Sequence, residues 1–486
     1  MIACRMDISD NLDEVMNMEK HQLFIDGKWQ ESLSGQFSEV INPATEEVLA
    51  QVSKANAADV DKAVSSAKAA FTAWNLTPVA ERAAYVEKLL VGIEAKQEQL
   101  VATIVAELGC SYTFSSQVQV PLSMNEMRAT LGALDQFEFE TTIGDALVIK
   151  EGAGVVACVT PWNYPLNQIQ RKITPALLAG NTVVVKPASD TPLTALLLAE
   201  IVEEAGLPAG VFNLITGSGS EAGDYLAGHP DVAIVSFTGS TDVGKSLYTK
   251  AASNVKKLVL ELGGKSALIY LPEGDLDSAV KKAVDTILNN QGQTCSALTR
   301  LLVPKSEEEA VKEKLKAYYE STVVIGEPTK TDTMVGPMVS ANQRQTVLDY
   351  LEIARNEGAE ILVGGSGIID RPGFYVEPTI FVNVSNDMRI AREEIFGPVL
   401  VVIPYETVEE AIEIANDSPY GLSGAVVGPE DEASQVARAL RTGNVYVNDG
   451  ARNPLAPFGG YKESGIGREN GLYGVEDYVE IKTIFM

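Results

Sequence analysis

Four short apolar runs set the architecture: Val155-Val156-Ala157-Cys158-Val159-Thr160, Thr182-Val183-Val184-Val185-Lys186, Phe212-Asn213-Leu214-Ile215-Thr216 and Ala233-Ile234-Val235-Ser236-Phe237-Thr238. Between them lie helical stretches: one after the rigid turn Pro161-Trp162-Asn163-Tyr164-Pro165 up to Gly180, one from Thr191-Pro192 to near Gly206, and one from Ser220 to Gly228. Continuously apolar strands alternating with helices predict a parallel sheet covered on both faces, of the doubly wound type. Such sheets bind ligands at the carboxyl ends of their strands. Motifs at those ends are therefore the first candidates for chemistry.

Toward the N-terminus, Leu23 to Trp29 and Gln36 to Val40 read as short strands. Asn56 to Trp74 reads as a helix, with Asn56 as its cap and Val60, Ala63, Val64, Ala67, Phe71 and Trp74 on one face. Thr77-Pro78 opens a second helix, with the proline at the first helical position. Toward the C-terminus, a second α/β unit runs from about Glu261 to about Phe458, with a strand at Leu301 to Pro304 and a helix at Ser306 to Tyr319. The tail Val479 to Ile484 is β-prone and, with Ala146 to Glu151, predicts an edge extension that a second subunit would cover.

The chain has 486 residues, too many for one core, with 45% hydrophobic and 21% charged residues. Its formal net charge of −28 excludes a general nucleic-acid partner, because phosphate binding needs clustered Lys and Arg. No apolar run reaches the length of a membrane span. Met1 to Lys20 carries Asp7, Asp10, Asp13, Glu14 and Glu19, with neither the basic region nor the apolar region of a targeting signal. A loose extension, or an early start ahead of Met16 or Met18, is expected there, and a cytoplasmic location follows by default. Four cysteines without a CxxC pair argue against a disulfide framework, and two histidines, His21 and His229, leave little for a zinc site. No metal is expected. Covalent chemistry would need a carboxylate or lysine as base.

Three segments offer such chemistry. Cys295 ends the amide-rich turn Asn289-Asn290-Gln291-Gly292-Gln293-Thr294, where the backbone could approach a substrate; a buried, inert thiol is the alternative. Glu261 ends the apolar run Leu258-Val259-Leu260 before Gly263-Gly264, where burial would raise its pKa into the range of a base; a salt bridge to Lys265 is the alternative. Asn163 follows a strand and could donate its amide to an oxyanion, or simply shape a turn. Gly217-Ser218-Gly219-Ser220-Glu221-Ala222-Gly223 joins a strand to a helix but is one residue longer than a GxGxxG fingerprint.

Together these segments resemble the aldehyde dehydrogenase superfamily. So do Asn42-Pro43-Ala44-Thr45, Phe237-Thr238-Gly239-Ser240, Glu393-Glu394-Ile395-Phe396-Gly397-Pro398 and Pro457-Phe458-Gly459-Gly460-Tyr461-Lys462, and Glu261 precedes Cys295 by the family's 34 positions. The resemblance runs from Phe24-Ile25-Asp26-Gly27 to Ile481-Lys482-Thr483. It implies an α/β protein with a doubly wound cofactor domain (residues 20–131 and 152–260) and a second α/β catalytic domain (261–458). A small β oligomerisation extension (132–151 and 470–486) and a flexible N-terminal extension (1–19) complete it. Homodimers or homotetramers are implied.

By the same resemblance Cys295 is the nucleophile that forms a thiohemiacetal and then a thioester, Asn163 and the Cys295 backbone hold the oxyanion, Glu261 activates water, and Lys172 tunes the site. Implied cofactor contacts are Thr160, Trp162, Lys186, Ser189, Gly219, Gly223, Phe237, Gly239, Ser240, Leu262, Glu394 and Phe396, for NADP or NAD. Arg171, Asn289, Arg452 and Phe458 are the substrate candidates. Asn289 fits neither the arginine of semialdehyde-specific members nor the aromatic of apolar-aldehyde members, so a broad small-molecule aldehyde range with tolerance for polar chains is expected. A succinate-semialdehyde type, a non-phosphorylating glyceraldehyde-3-phosphate dehydrogenase, a coenzyme-A-acylating member (disfavoured by Glu261) and a non-catalytic binding protein on the same fold are the competing readings.

Ser189 stands three residues after Lys186, where NAD-strict members carry a glutamate. Without that carboxylate, Lys186 is free to pair with a 2′-phosphate. Measured kcat/KM values should therefore show NADP+ accepted or preferred; a strong preference for NAD+ would refute the argument.

Overall fold

The computed structural model describes residues 21–486. The N-terminal extension, with Cys4, Met16 and Met18, lies outside the described residues. Among those described, an eight-stranded sheet runs Lys28–Gln30, Leu23–Ile25, Phe212–Leu214, Thr182–Lys186, Val155–Val159, Val232–Thr238, Lys257–Glu261, Gly465–Ile466. Its five central strands are parallel and its outer strands antiparallel. The four apolar runs are adjacent in it, as their continuous hydrophobicity requires.

Alternation along each strand feeds two separate cores. Val156, Cys158, Val183, Val185, Phe212 and Ile234 pack on one face with the helices Val79–Ala95, Gln97–Leu108, Pro165–Ala179 and Leu193–Ala205. Val155, Ala157, Val184, Val235 and Leu260 pack on the other, against Val60, Ala63, Val64 and Ala67 of the helix Ala57–Leu76. Asn56 caps that helix through a reciprocal pair with Asp59. Pro78 sits at the cap of the helix Val79–Ala95, one position earlier than its φ preference predicts.

A seven-stranded sheet follows in the order Glu360–Val363, Thr379–Val382, Val399–Tyr405, Arg300–Pro304, Ala267–Tyr270, Ser423–Val427, Asn444–Val447. Glu261 pairs with Thr238 inside the first sheet, and the second sheet starts at Ala267. The carboxylate thus lies at the seam between sheets rather than at the start of the second. The last strand, Val479–Phe485, pairs along its whole length with Ala146–Gly152, which also pairs with Glu140–Ile143.

Asn181 ties this three-stranded extension to the first sheet. Its Oδ1 accepts from the backbone of Ala153 and Gly154, and its Nδ2 donates to the carbonyls of Ala176 and Tyr478. The side chain is fully buried. Asn181→Leu leaves these backbone groups unpaired, and urea unfolding should show a loss of about 2–4 kcal/mol; a change below about 0.5 kcal/mol would show that the amide is dispensable.

Candidate active site

Several loops from the two sheets line one cleft. The strand Val155–Val159 leads through Thr160-Pro161-Trp162 to Asn163, just before the helix Pro165–Ala179. Asn163 is 3% exposed; its Nδ2 donates to the Gln293 carbonyl at 3.0 Å, and its carbonyl accepts from Gln119 and Asn290. Those bonds join it directly to the cysteine loop.

The amides before Cys295 hold a strained turn in place. Asn290 and Gln291 have φ of 51° and 55°, a left-handed conformation costly for residues with a Cβ. Asn290 Nδ2 bonds the carbonyls of Asn163 and Gln293, Gln291 Nε2 bonds the Gly109 carbonyl, and Gln293 Oε1 accepts from the Val339 N–H. Gly292 also has positive φ, and a Cβ there would collide with the Gly397 carbonyl. Sequence reading took this turn as a close approach for substrate; the close approach observed is to the protein's own backbone. Cys295 emerges half-buried, as a free thiol, into a cleft. Its backbone N–H donates to no described group.

That cleft has a volume of about 270 Å³ and is lined by Trp162, Asn163, Gly239, Ser240, Leu262, Cys295, Glu394 and Phe396, with Gln343 and Thr346. Sequence reading missed the last two, which carry no local pattern; Gln343 fixes the carbonyls of Ile395 and Phe396. Phe396 meets Trp162 edge-on, with centroids 5.1 Å apart. Glu394 accepts from the Gly264 N–H at 3.0 Å, and burial lifts its carboxyl to about 7. A Cβ at Gly263 would strike that carboxylate.

Further along, Lys186 is buried beside Gly223, and burial, opposed by Asp190, lowers its ammonium to about 8. Ser189 donates to the Gly217 carbonyl, and Gly219–Gly223 forms a wide π-type turn before the helix Asp224–Gly228, where a regular helix from Ser220 was expected. Phe237 packs under Gly239. The buried Thr160 hydroxyl has no partner. A buried lysine, an orphaned hydroxyl and a glycine-lined cleft fit an extended ligand bearing phosphates and ribose hydroxyls. No group of three or more metal-ligating side chains occurs among the described residues.

Glu261 is 2% exposed and neither carboxylate oxygen has a hydrogen-bond partner. Its pKa is raised well above 4.5 by burial and by Glu469, against the pull of Lys172, Arg171 and Arg468. Lys265, the alternative ion partner, is not among these charges. Lys172 bonds Glu469 and Thr238, each at 2.7 Å. Neither Glu469 nor Glu126 was foreseen. Glu126 grips Arg171 through two 2.8 Å bonds and lies 3.0 Å from Arg452 Nη2; burial pushes its carboxyl up, but these guanidiniums outweigh it and hold it low.

Arg171, read as a candidate for a substrate carboxylate, is thus bound in bidentate fashion by Glu126, whereas Arg452 lies near the same carboxylate but its Nη2 makes no hydrogen bond; both stack on Phe458. Arg452 and Phe458 also line a second recess of about 310 Å³ with Tyr446 and Asn453. Asn289 is exposed and lines neither space.

The comparisons with known proteins agree with one another. Residues 29–484 match the model of the aldehyde dehydrogenase family. A Staphylococcus aureus (strain MSSA476) protein whose name assigns it to the aldehyde dehydrogenases is 46% identical over 464 residues, covering 95% of this chain and 98% of its own. Aldehyde dehydrogenase C of Pseudomonas syringae, solved as a cysteine-to-alanine mutant with NAD+ and octanal, superposes at TM-score 0.94 with 43% identity, covering 96% of each chain. Betaine aldehyde dehydrogenase of S. aureus, solved with NAD+, gives 0.94 and 37%, covering 98% of this chain and 97% of its own.

Burial, together with the charges of Glu394 and Glu261, pushes the Cys295 thiol up to about 12, against the pull of Arg171 and Arg452. In the ligand-free protein, alkylation by iodoacetamide, corrected with Cys295→Ala, should rise about tenfold per pH unit and still be climbing at pH 9.5. A plateau below pH 8 would show a thiolate already formed.

Proposed function

The chain belongs to the aldehyde dehydrogenase family, and we propose that it oxidises aldehydes to carboxylic acids through Cys295, Asn163 and Glu261. The reaction class is an NAD(P)-dependent oxidation of the aldehyde group. One observation carries the assignment of roles: the free thiol opens into a long cleft shared with Asn163, Glu394 and Phe396, while an unpaired carboxylate, Glu261, acts on it electrostatically.

A thiol held neutral must lose its proton as it attacks. We assign Glu261, in its ionised form, to take it, and the sulfur bonds to the carbonyl carbon. Negative charge then gathers on the former carbonyl oxygen, and the second N–H of the Asn163 amide and the unengaged N–H of Cys295 are its assigned donors. NAD(P)+, when bound, supplies the acceptor for the hydride that leaves this carbon. Glu394, Phe396, Trp162, Ser240 and Thr160 would hold it, and Lys186 would take the adenosine ribose or its 2′-phosphate. The thioester left on Cys295 is hydrolysed by water, with Glu261, again a carboxylate, accepting the proton.

The recess beside Arg452 and Phe458 receives the aldehyde chain. Its walls join Asn444, Asn453 and Arg452 to Tyr446 and Phe458, and this mixed polar and aromatic lining favours a broad aldehyde range with tolerance for polar chains. Ile481, Ile484 and Phe485 stand exposed on the terminal strand, an apolar surface that a second copy of the chain would cover in a homo-oligomer. Among the described residues no helix is long and apolar enough to cross a membrane. Free cysteines at 110, 158 and 295 support a reducing, cytoplasmic setting.

Glu261→Gln should cut kcat by at least about 100-fold and, since Glu261 is also assigned the thiol's proton, slow the burst of reduced dinucleotide while leaving its amplitude at one per site. The working form is the carboxylate and its pKa is raised above 4.5, so wild-type kcat climbs with pH beyond the ordinary carboxylate range. That limb vanishes in the variant. Turnover within threefold of wild type would remove Glu261 from the mechanism.

A further inference from the structure

Directly after the Gly263-Gly264 turn in sequence, Lys265 and Ser266 line a separate, small cavity. Its polar lining comprises Lys265, Ser266, Arg300, Tyr420, Ser423 and Thr442, and no aspartate or glutamate lines it. That is unexpected in a chain of net charge −28. The hydroxyls of Ser266 and Ser423, 4% and 1% exposed, have no hydrogen-bond partner. Lys265 is 2% exposed. Its ammonium makes no hydrogen bond or salt bridge; Glu394 and Glu393 act on it only at longer range.

Arg300 supplies a second unmatched charge. Its guanidinium bonds the carbonyls of Lys265, Ile414 and Ala415 and the Asn386 amide oxygen, all neutral acceptors. The nearby carboxylate, Asp417, is paired with Arg392. Two buried cations with two orphaned hydroxyls cost free energy until a counter-charge with acceptor capacity joins them. Water would satisfy the hydroxyls and leave the charge.

We propose that this cavity binds one small monovalent anion of the halide class, held by the Lys265 ammonium and the Ser266 and Ser423 hydroxyls, with Arg300 behind. The free space at its centre takes a single particle of about water size, which suits a monatomic ion and is too small for phosphate. Consistent with a missing counter-ion, burial and Arg300 lower the Lys265 ammonium to about 7. Glu394 lines the cleft while acting on Lys265 at range, so the occupant would share Lys265 with the residue proposed to hold the ribose.

The test uses the full chain. Crystals soaked in sodium bromide should show an anomalous peak within hydrogen-bonding reach of Lys265 Nζ and both serine hydroxyls. In solution, replacing sodium glutamate by sodium chloride at constant ionic strength should raise the melting temperature by about 2 °C. Ser423→Ala and Ser266→Ala should each lose most of that rise. In glutamate buffer these variants should melt at or above wild type, since each removes an unpartnered hydroxyl. No bromide peak in wild-type crystals, or a chloride effect unchanged in both variants, would overturn the proposal.

Discussion

A carboxylate that is 2% exposed and makes no hydrogen bond is among the most costly groups a folded chain can hold. Glu261 is tolerated because its environment lets it hold a proton, and the same environment makes it a base in a useful range once the proton leaves. Much of the site's construction follows from keeping that carboxylate dry and unpaired. The strand Lys257–Glu261 brings it to the sheet end, and pairing with Gly465 closes one side. Gly459 closes another, at φ of 153°, where a Cβ would lie 2.6 Å from Glu261 Oε1. Any larger residue there would displace the carboxylate or distort a backbone that only glycine adopts easily.

Beneath it, charge is balanced in pairs. Lys172 meets Glu469 and Arg171 meets Glu126, each nearly fully buried, with Asn167, Gln170 and Asn470 filling remaining acceptor positions on Glu126. Such pairs contribute little net stability, since desolvation offsets most of the attraction. Their effect is positional and electrostatic. Glu469 pushes the Glu261 pKa up while Lys172 and Arg171 pull it down, so the base is set by a difference between large opposing influences. Removing one member of a pair would shift it further than removing both.

The parts legible in the sequence were those with short-range causes. Apolar runs at Val155, Thr182, Phe212 and Val232 gave adjacent parallel strands, and Asn56 gave a cap, because periodicity and capping act within a few residues. Cys295, Asn163 and Glu261 stood out only through many ordered segments matching one family. The ion pairs could not be read. Lys172 and Glu469 are 297 positions apart, and Arg171 and Glu126 are 45 apart on different helices. Neither glutamate sits in a distinctive local pattern, so Arg171 looked free to meet a substrate.

The amide run before Cys295 marks the boundary between these cases. Its composition was visible, its purpose was not. Two consecutive non-glycine residues at positive φ would relax unless something fixed them, and Asn290, Gln291 and Gln293 do so with side-chain bonds to four different backbone segments. One of those bonds ends on the Asn163 carbonyl, and Asn163 in turn bonds the Gln293 carbonyl. The nucleophile's loop and the proposed oxyanion donor therefore hold each other in register. Strain in the turn is the cost of aiming the thiol into the cleft, and the reciprocal bonds keep that aim fixed while the substrate changes beside it.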